Sequence, residues 1–233
     1  MTKIAYKTAL IVGAGPGISA SVARALAGAG LKIGLAARNA EKLRPLADEI
    51  GAKAYSVDAT SPAAVAGLFK QADAYLGEPD VVVYNASGRV RGPLVELDPE
   101  AVRSAIAVSA FGAFLVGQQA ARRMLPKGQG AILLSGATAG VKGFALSASF
   151  AMGKFALRGL AQSMARELSP KGIHVAHVVI DGGIRSAARP GGNETPDALL
   201  EPDAIAESYW HLMHQHRSAW TWELEVRPWV EKF

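Results

Sequence analysis

Ala9-Leu10-Ile11-Val12-Gly13-Ala14-Gly15-Pro16-Gly17-Ile18-Ser19 decides the reading of this chain: an apolar strand-like run enters a glycine turn, and a small-residue helical stretch over 20–29 leaves it. Glycine backbones allow a pyrophosphate to approach closely, and the amides and positive end of the following helix meet its charge. A tight loop with no ligand would use glycine as well. The order strand, turn, helix is the context a dinucleotide site requires, and it assigns Gly13, Gly15, Gly17 and Ile18 to the phosphate turn.

Outward from this turn, apolar runs of strand length alternate with longer amphipathic stretches. That alternation builds a parallel sheet with helices on both faces, a Rossmann-type, doubly wound α/β fold. The strands are expected at 8–12, 32–36, 53–57, 80–84, 131–135, 174–180 and 221–226, seven in all. Helices are expected to begin near Gly17, Ala40, Pro62, Pro99, Ser147 and Pro202, several on a proline or small polar residue that a first turn tolerates. Gly- and Pro-rich stretches at 136–143 and 182–202 follow the fifth and sixth strands, at the carboxyl ends where ligands bind in such sheets.

With 233 residues, half of them hydrophobic, and no break in composition, residues 1–233 read as a single dinucleotide-binding domain. The net charge of +5 is spread along the chain without the basic block of a nucleic-acid footprint. No cysteine occurs, which excludes disulfides, thiolate metal sites and cysteine nucleophiles. No signal-peptide pattern precedes the first strand, and no apolar run approaches the eighteen or so residues of a membrane span. The expectation is a cytoplasmic protein with a small-molecule substrate and no nucleic-acid or membrane partner.

The end of the second strand distinguishes the two nicotinamide cofactors, since an acid there bonds the ribose 2′-hydroxyl whereas a base meets a 2′-phosphate. The sequence reads Ala36-Ala37-Arg38-Asn39, so Arg38 offers a planar fork to phosphate and NADP(H) is expected over NAD(H). Asp58, after the third strand, can accept from an adenine amino group or cap the next helix. Asn85 ends the fourth strand, where its amide can brace the turn beside the cofactor.

Over essentially its whole length the chain resembles the short-chain dehydrogenase/reductase family. The family's Thr-Gly-x-x-x-Gly-x-Gly falls on Val12, Gly13, Gly17 and Ser19, and its Asn-Asn-Ala-Gly on Tyr84-Asn85-Ala86-Ser87. The arginine of its NADP-using members falls on Arg38, and its Pro-Gly-x-x-x-Thr on Asp181-Gly182-Gly183-Ile184-Arg185-Ser186. The resemblance implies that Ile184 offers its backbone to the nicotinamide carboxamide and that Lys154 bonds the ribose hydroxyls. It also implies a homo-oligomer, with the last strand near a subunit contact; Trp210, Trp220, Trp222 and Trp229 fit a core or such an interface.

The family's proton machinery is a tetrad of Asn, Ser, Tyr and Lys. Here those places hold Ser109, Ala137, Phe150 and Lys154, so only the lysine is kept. Phe150 and Lys154, four apart, share a helix face, and Phe150 also continues an apolar stripe with Leu157, Ala161, Met164 and Leu168. Candidate replacements for the phenol are Thr138, beside the serine position, then Ser109, Ser149, Lys142 and Lys154 itself. General acid catalysis typically contributes about a hundredfold to ten-thousandfold, so its loss slows a carbonyl reductase without abolishing it. Reduction of an activated alkene places charge on an enolate and asks less of a phenol. A nucleotide-binding protein without turnover is the competing class.

Two further features complete the sequence reading. His211, His214 and His216 cluster without an acidic partner at metal-ligand spacing, so no metal site is expected. The turn-rich segment 187–201 reads as a mobile loop or as the rim of an open pocket, with Arg185 or Arg189 meeting an anionic group.

Overall fold

The computed structural model describes residues 6–191, 195 and 197–231. Of the turn-rich segment at 187–201, residues 192–194 and 196 lie outside the described residues.

Seven parallel strands form one sheet: β1 Thr8–Val12, β2 Lys32–Ala37, β3 Lys53–Ser56, β4 Val81–Tyr84, β5 Gly130–Ser135, β6 Ile173–Ile180 and β7 Glu223–Val226. Their order across the sheet is β3-β2-β1-β4-β5-β6-β7. The direction of winding therefore reverses between β1 and β4, and the crevice at their carboxyl ends is where such sheets bind ligands. The strand edges differ from expectation by one or two residues. The largest shift is in β7, where Thr221 and Trp222 precede the strand although the Trp222 carbonyl still accepts from the His177 amide.

The helices are α1 Ile18–Gly28, α2 Arg44–Ile50, α3 Pro62–Leu76, α4 Pro99–Ile106, α5 Gly112–Met124, α6 Ala148–Leu168 and α7 Pro202–Met213. Proline occupies the first turn of α2, α3, α4 and α7, where its missing N–H has no intrahelical partner to lose. Alternate strand residues feed two cores. Leu10, Val12, Val82, Tyr84, Ile132 and Leu134 pack beneath α3, α5 and α6. Ala9, Ile11, Val81, Val83, Ala131 and Leu133 pack on the opposite face against α1 and α7. The period of two along each strand makes this two-sided burial possible, and it explains the uninterrupted apolar runs of the sequence.

Two sequence expectations are corrected. The helical run Pro99–Lys127, 29 residues, is long and apolar enough by length and composition to cross a membrane. Its apolar side is occupied instead by the protein core, with Ala113, Val116, Ala120 and Met124 buried. Phe150 does not continue the packed stripe of α6: Leu157, Ala161 and Leu168 belong to the core, whereas Phe150, at the first turn, lines a cavity.

The run from α4 to α5 also contains a π-helical turn, Ala107–Phe111, that sequence periodicity did not show. The Tyr84 hydroxyl donates to the carbonyl of Val108 within it. A side-chain donor reaching a backbone carbonyl inside the turn fits the local widening, and such turns concentrate at functional sites.

Candidate active site

Apart from Lys154, which projects from α6, the nominated cofactor residues follow the carboxyl ends of strands or open the first helix, so the fold gathers them along one edge of the sheet. Gly13 has φ of 83°, and a Cβ added there would overlap the backbone of Ala86, whose Cα lies 2.5 Å away. Only glycine fits, because both the left-handed backbone and the close packing exclude a side chain. At Gly15 and Gly17 an added Cβ would meet nothing within 4 Å, which leaves open space above the turn. Gly17 precedes α1 with no side-chain cap, and the first turn of α1 holds no acid. The amides of that turn are thus available to an anion, as a bound pyrophosphate would require.

Ser19 and Asn85 brace this turn. The Ser19 hydroxyl donates to the Gly13 carbonyl at 3.2 Å, and Asn85 Nδ2 donates to Ser19 Oγ at 2.8 Å. Asn85 therefore positions the glycine turn through its side chain, while its backbone amide bonds the Val12 carbonyl at 2.8 Å.

Two adjoining cavities open here. The smaller, about 310 Å³, is lined by Gly13, Arg38, Asp58, Asn85, Ser87 and Val108 among others. The Arg38 side chain is exposed and pairs with no described residue. Asp58 Oδ1 accepts from the Thr60 amide at 2.9 Å and the Thr60 hydroxyl at 2.7 Å. Those bonds, the backbone one first, hold the Asp58 carboxyl below its ordinary range, with Arg38 contributing. Capping of α3 falls to Ser61, which accepts from the Ala64 amide, so Asp58 closes the turn just before it.

The larger cavity, about 990 Å³, runs from Gly17 and Ile18 past Asn85 and Ser87 to Thr138, Phe150 and Lys154. Ile184 lines it from the segment after β6. Lys154 is 3% exposed and donates from Nζ to the Ser135 carbonyl at 2.7 Å. Burial pushes its ammonium down from 10.5 to about 8. A separate cavity of about 680 Å³ lies beside Gly172, His174 and Trp220 near the amino end of β6, and shares no residue with these two.

The candidate proton donors separate clearly. Thr138 lines the larger cavity, with its hydroxyl donating to Asp181 Oδ1 at 2.5 Å. Asp181 is buried at 4% exposure and also pairs with Arg227 at 3.1 Å. Ser109 and Ser149 are fully buried and absent from the cavity wall. Ser109 Oγ accepts from the Gly88 amide at 3.0 Å, and Ser149 Oγ accepts from the Val90 amide at 3.0 Å and donates to the Val90 carbonyl at 2.7 Å. Both serines fix the segment after β4. Lys142 is exposed, lies over the Phe144 ring and does not line the cavity.

Of the loop arginines nominated for an anion, Arg185 is already paired with Glu201 and the Pro190 carbonyl. Arg189 lines the cavity without an ion pair to any described residue. Sequence reasoning missed Arg89 and Arg91, which line the same cavity from the segment after β4. Their signal was available: an Arg-x-Arg pair at the carboxyl end of a strand beside the switch point. The His214 ring lies against Trp210 at 3.8 Å between centroids, tilted by 37°, and His216 bonds Ser218, so these histidines face partners of their own. Among the described residues no three His, Asp or Glu side chains converge at metal-binding distance.

Comparison with known proteins accords with this arrangement. The family described as short chain dehydrogenase matches residues 7–195. A cis-4-hydroxycyclohexanecarboxylate dehydrogenase from Sinomonas cyclohexanicum is 34% identical over 197 residues, which cover 82% of this chain and 75% of that protein. The crystal structure of a short-chain dehydrogenase from Rhodopseudomonas palustris matches with a TM-score of 0.83 at 38% identity, over 96% of this chain and 99% of that one. A metagenomic short-chain oxidoreductase solved in complex with NADP matches with a TM-score of 0.83 at 30% identity, over 96% of this chain and 98% of that one. A family match over most of the length, joined to a seven-stranded parallel sheet and its braced glycine turn, makes the chain a member of the short-chain dehydrogenases and an oxidoreductase of that type.

Proposed function

We propose that the chain binds NADP(H) in preference to NAD(H) and transfers hydride to or from a small carbonyl, alcohol or activated alkene, with a proton path that does not use a phenol. The observation that carries this reading is the continuity of the two cavities, which share Asn85 and Ser87. An elongated ligand beginning at the unpaired guanidinium of Arg38 can therefore pass the glycine turn and reach Lys154.

When bound, the nicotinamide supplies the hydride. The protein's share is positioning: Gly13 and Gly17 open the turn, Ile18 begins the helix whose amides face the phosphates, and Lys154 and Ile184 flank the inner end of the cavity. Gly15 stands on the crest of the turn, and Asp58 and Asn85 hold the walls of the outer cavity. Thr138 is the cavity-lining hydroxyl nearest the serine position, and we assign it first for proton transfer, with Lys154 second. The exposed Phe111, Phe114, Met152 and Phe155, all on α6 or the run from α4 to α5, favour burial against a second copy.

The test is direct. NADPH and NADH are titrated against the purified protein, and absorbance of bound NADPH is followed across ketones, aldehydes and enones. Ring alcohols with NADP⁺ join the panel, because the Sinomonas relative is named for a hydroxycyclohexanecarboxylate. Tight NADPH binding with turnover of at least one class is expected; binding without oxidation by any of them defeats the enzymatic reading for those classes. A nucleotide-binding role without turnover is the second reading. It is favoured by the hydroxyls of Thr138, Ser109 and Ser149 all being bonded to other protein groups.

A further inference from the structure

The larger cavity is lined by five cationic side chains, Arg89, Arg91, Lys154, Arg185 and Arg189, and by no carboxylate among the described residues. Concave surfaces lined by one sign of charge concentrate field and draw the opposite charge. The cofactor's phosphates account for the glycine turn and Arg38, and Glu201 accounts for Arg185. Lys154 is buried on the Ser135 carbonyl. Three are left: Arg189, whose side chain packs over Gly183 on the segment after β6, and the pair Arg89 and Arg91 on the segment after β4, with Arg89 against Ser147 and Phe150.

The segment that carries the pair is fastened at three alternate residues. Gly88 is bonded to Ser109, Val90 to Ser149, and the Gly92 amide to the Leu146 carbonyl at 3.2 Å. The intervening residues, 89 and 91, both reach the cavity. Two fully buried serines thus hold the backbone of an exposed arginine pair, which lowers the ordering cost of binding. The Arg89 guanidinium lies 5.0 Å from the Phe150 ring centroid and approaches Ser147 Oγ at 3.5 Å. Neither Arg89 nor Arg91 has a carboxylate partner among the described residues.

We propose that Arg89 and Arg91 form a fixed clamp for the carboxylate of the substrate, so that the enzyme acts on a carboxylic acid carrying the reacting alcohol, carbonyl or alkene. A carboxylate suits this place better than a phosphate. Phosphate sites commonly recruit backbone amides, and the amides of Gly88, Val90 and Gly92 are all occupied. The charged donors the pair offers are its two guanidinium forks, and such a fork matches the two oxygens of a carboxylate.

This clamp rests on the proposed function for the meaning of the site, but its test reads binding alone. Benzoate, benzamide and phenylphosphonate are titrated by calorimetry at neutral pH into the protein, with and without saturating NADP⁺, after the NADPH titration has been done. Benzoate should bind roughly tenfold or more tighter than benzamide, the scale of a charge-assisted pair, and tighter than phenylphosphonate. Arg89→Met and Arg91→Met should each remove most of that preference with NADPH affinity and melting temperature unchanged, and Arg89→Lys should restore part of it. Equal binding of acid and amide, no binding of benzoate, a preference for phosphonate, or a preference that survives both methionine variants would each overturn the clamp. A benzoate preference in a protein that binds no NADPH would leave the clamp standing and defeat the cofactor reading instead.

Discussion

The Thr138 hydroxyl donates a hydrogen bond to Asp181 at 2.5 Å, joining the wall of the cavity to the residue that follows β6. The family resemblance places a proline at 181, which has no side-chain acceptor, so the bond belongs to this chain's own sequence. Asp181 also meets Arg227, which makes Thr138 the outer end of a three-residue polar chain. Thr138→Val removes one partner of a buried carboxylate, a loss of about 1–3 kcal/mol. Urea unfolding should show that loss for valine and little of it for Thr138→Ser; equal stability of the wild type and the valine variant would mean that the bond contributes nothing.

Gly13 and Gly15 should respond differently to the same methyl group. At Gly13 the positive φ and the Ala86 backbone both oppose it, and strain and overpacking together cost several kcal/mol, of order 2–6. Gly13→Ala should therefore fail to fold or melt far below the wild type. Gly15→Ala meets no neighbour within 4 Å and should melt normally, yet bind NADPH about tenfold more weakly because the methyl stands where phosphate approaches. Normal affinity in that variant would remove Gly15 from the phosphate turn.

Cofactor choice rests on Arg38. No described residue hydrogen-bonds or ion-pairs with its exposed guanidinium, and only the nearby charge of Asp58 acts on it, so Arg38→Ala should leave the fold intact. Removing a charge-assisted bond to a 2′-phosphate should weaken NADPH binding by about ten- to a hundredfold and leave NADH within about twofold. Fluorescence titrations of both nucleotides decide it: a parallel loss for the two would make Arg38 a general electrostatic contact and not a phosphate reader.

Much of this molecule was legible because its signals are local. The glycine turn, the alternation of strands and helices, and the prolines at helix starts each act within a few residues. The positions of Arg38, Asp58 and Asn85 followed from strand ends. What was hidden depends on contacts between distant segments. Nothing near Thr138 announces that Asp181, 43 positions away, will accept its hydrogen bond. Ser109 and Ser149 looked like donors in the sequence, but the fold turns both onto the segment at 88–90. Phe150 read as core by helical periodicity, yet its turn of α6 opens onto the cavity. The π turn at 107–111 leaves no mark on composition.

Lys154 should make stability depend on pH in a defined window. Its folded-state value, about 8, lies below the ordinary 10.5, so between those values the unfolded chain holds more protons than the folded one. Stability therefore rises as pH goes from about 8 to 10.5, by about 3 kcal/mol at most, and the gain is lost as pH falls back through 8. Lys154→Met lacks this dependence. The difference in unfolding free energy between variant and wild type, measured at steps across the window, should change by an amount of that order; parallel curves would contradict the assigned burial.

Restoring the absent groups tests the proton path itself. Phe150 carries Arg89 at 5.0 Å and Lys154 Nζ at 5.8 Å from its ring centroid, so a hydroxyl added to that ring would join two cations that favour its ionised form. Ala137 lines the same cavity, so a serine there would be placed at its wall. Because the Thr138 hydroxyl already donates a hydrogen bond to Asp181, it should be a weaker acid in the wild type than a tyrosine phenol beside Lys154 would be. Ala137→Ser combined with Phe150→Tyr should then raise kcat for ketone reduction about tenfold or more, within the range general acid catalysis contributes. Each single variant should gain less than the pair, since the two hydroxyls act on one oxygen. A double variant that folds, binds NADPH and shows no gain would mean that another group already delivers the proton. Thr138→Val in that background would then identify it: a collapse of the remaining turnover assigns the step to Thr138, and unchanged turnover assigns it to Lys154 or water.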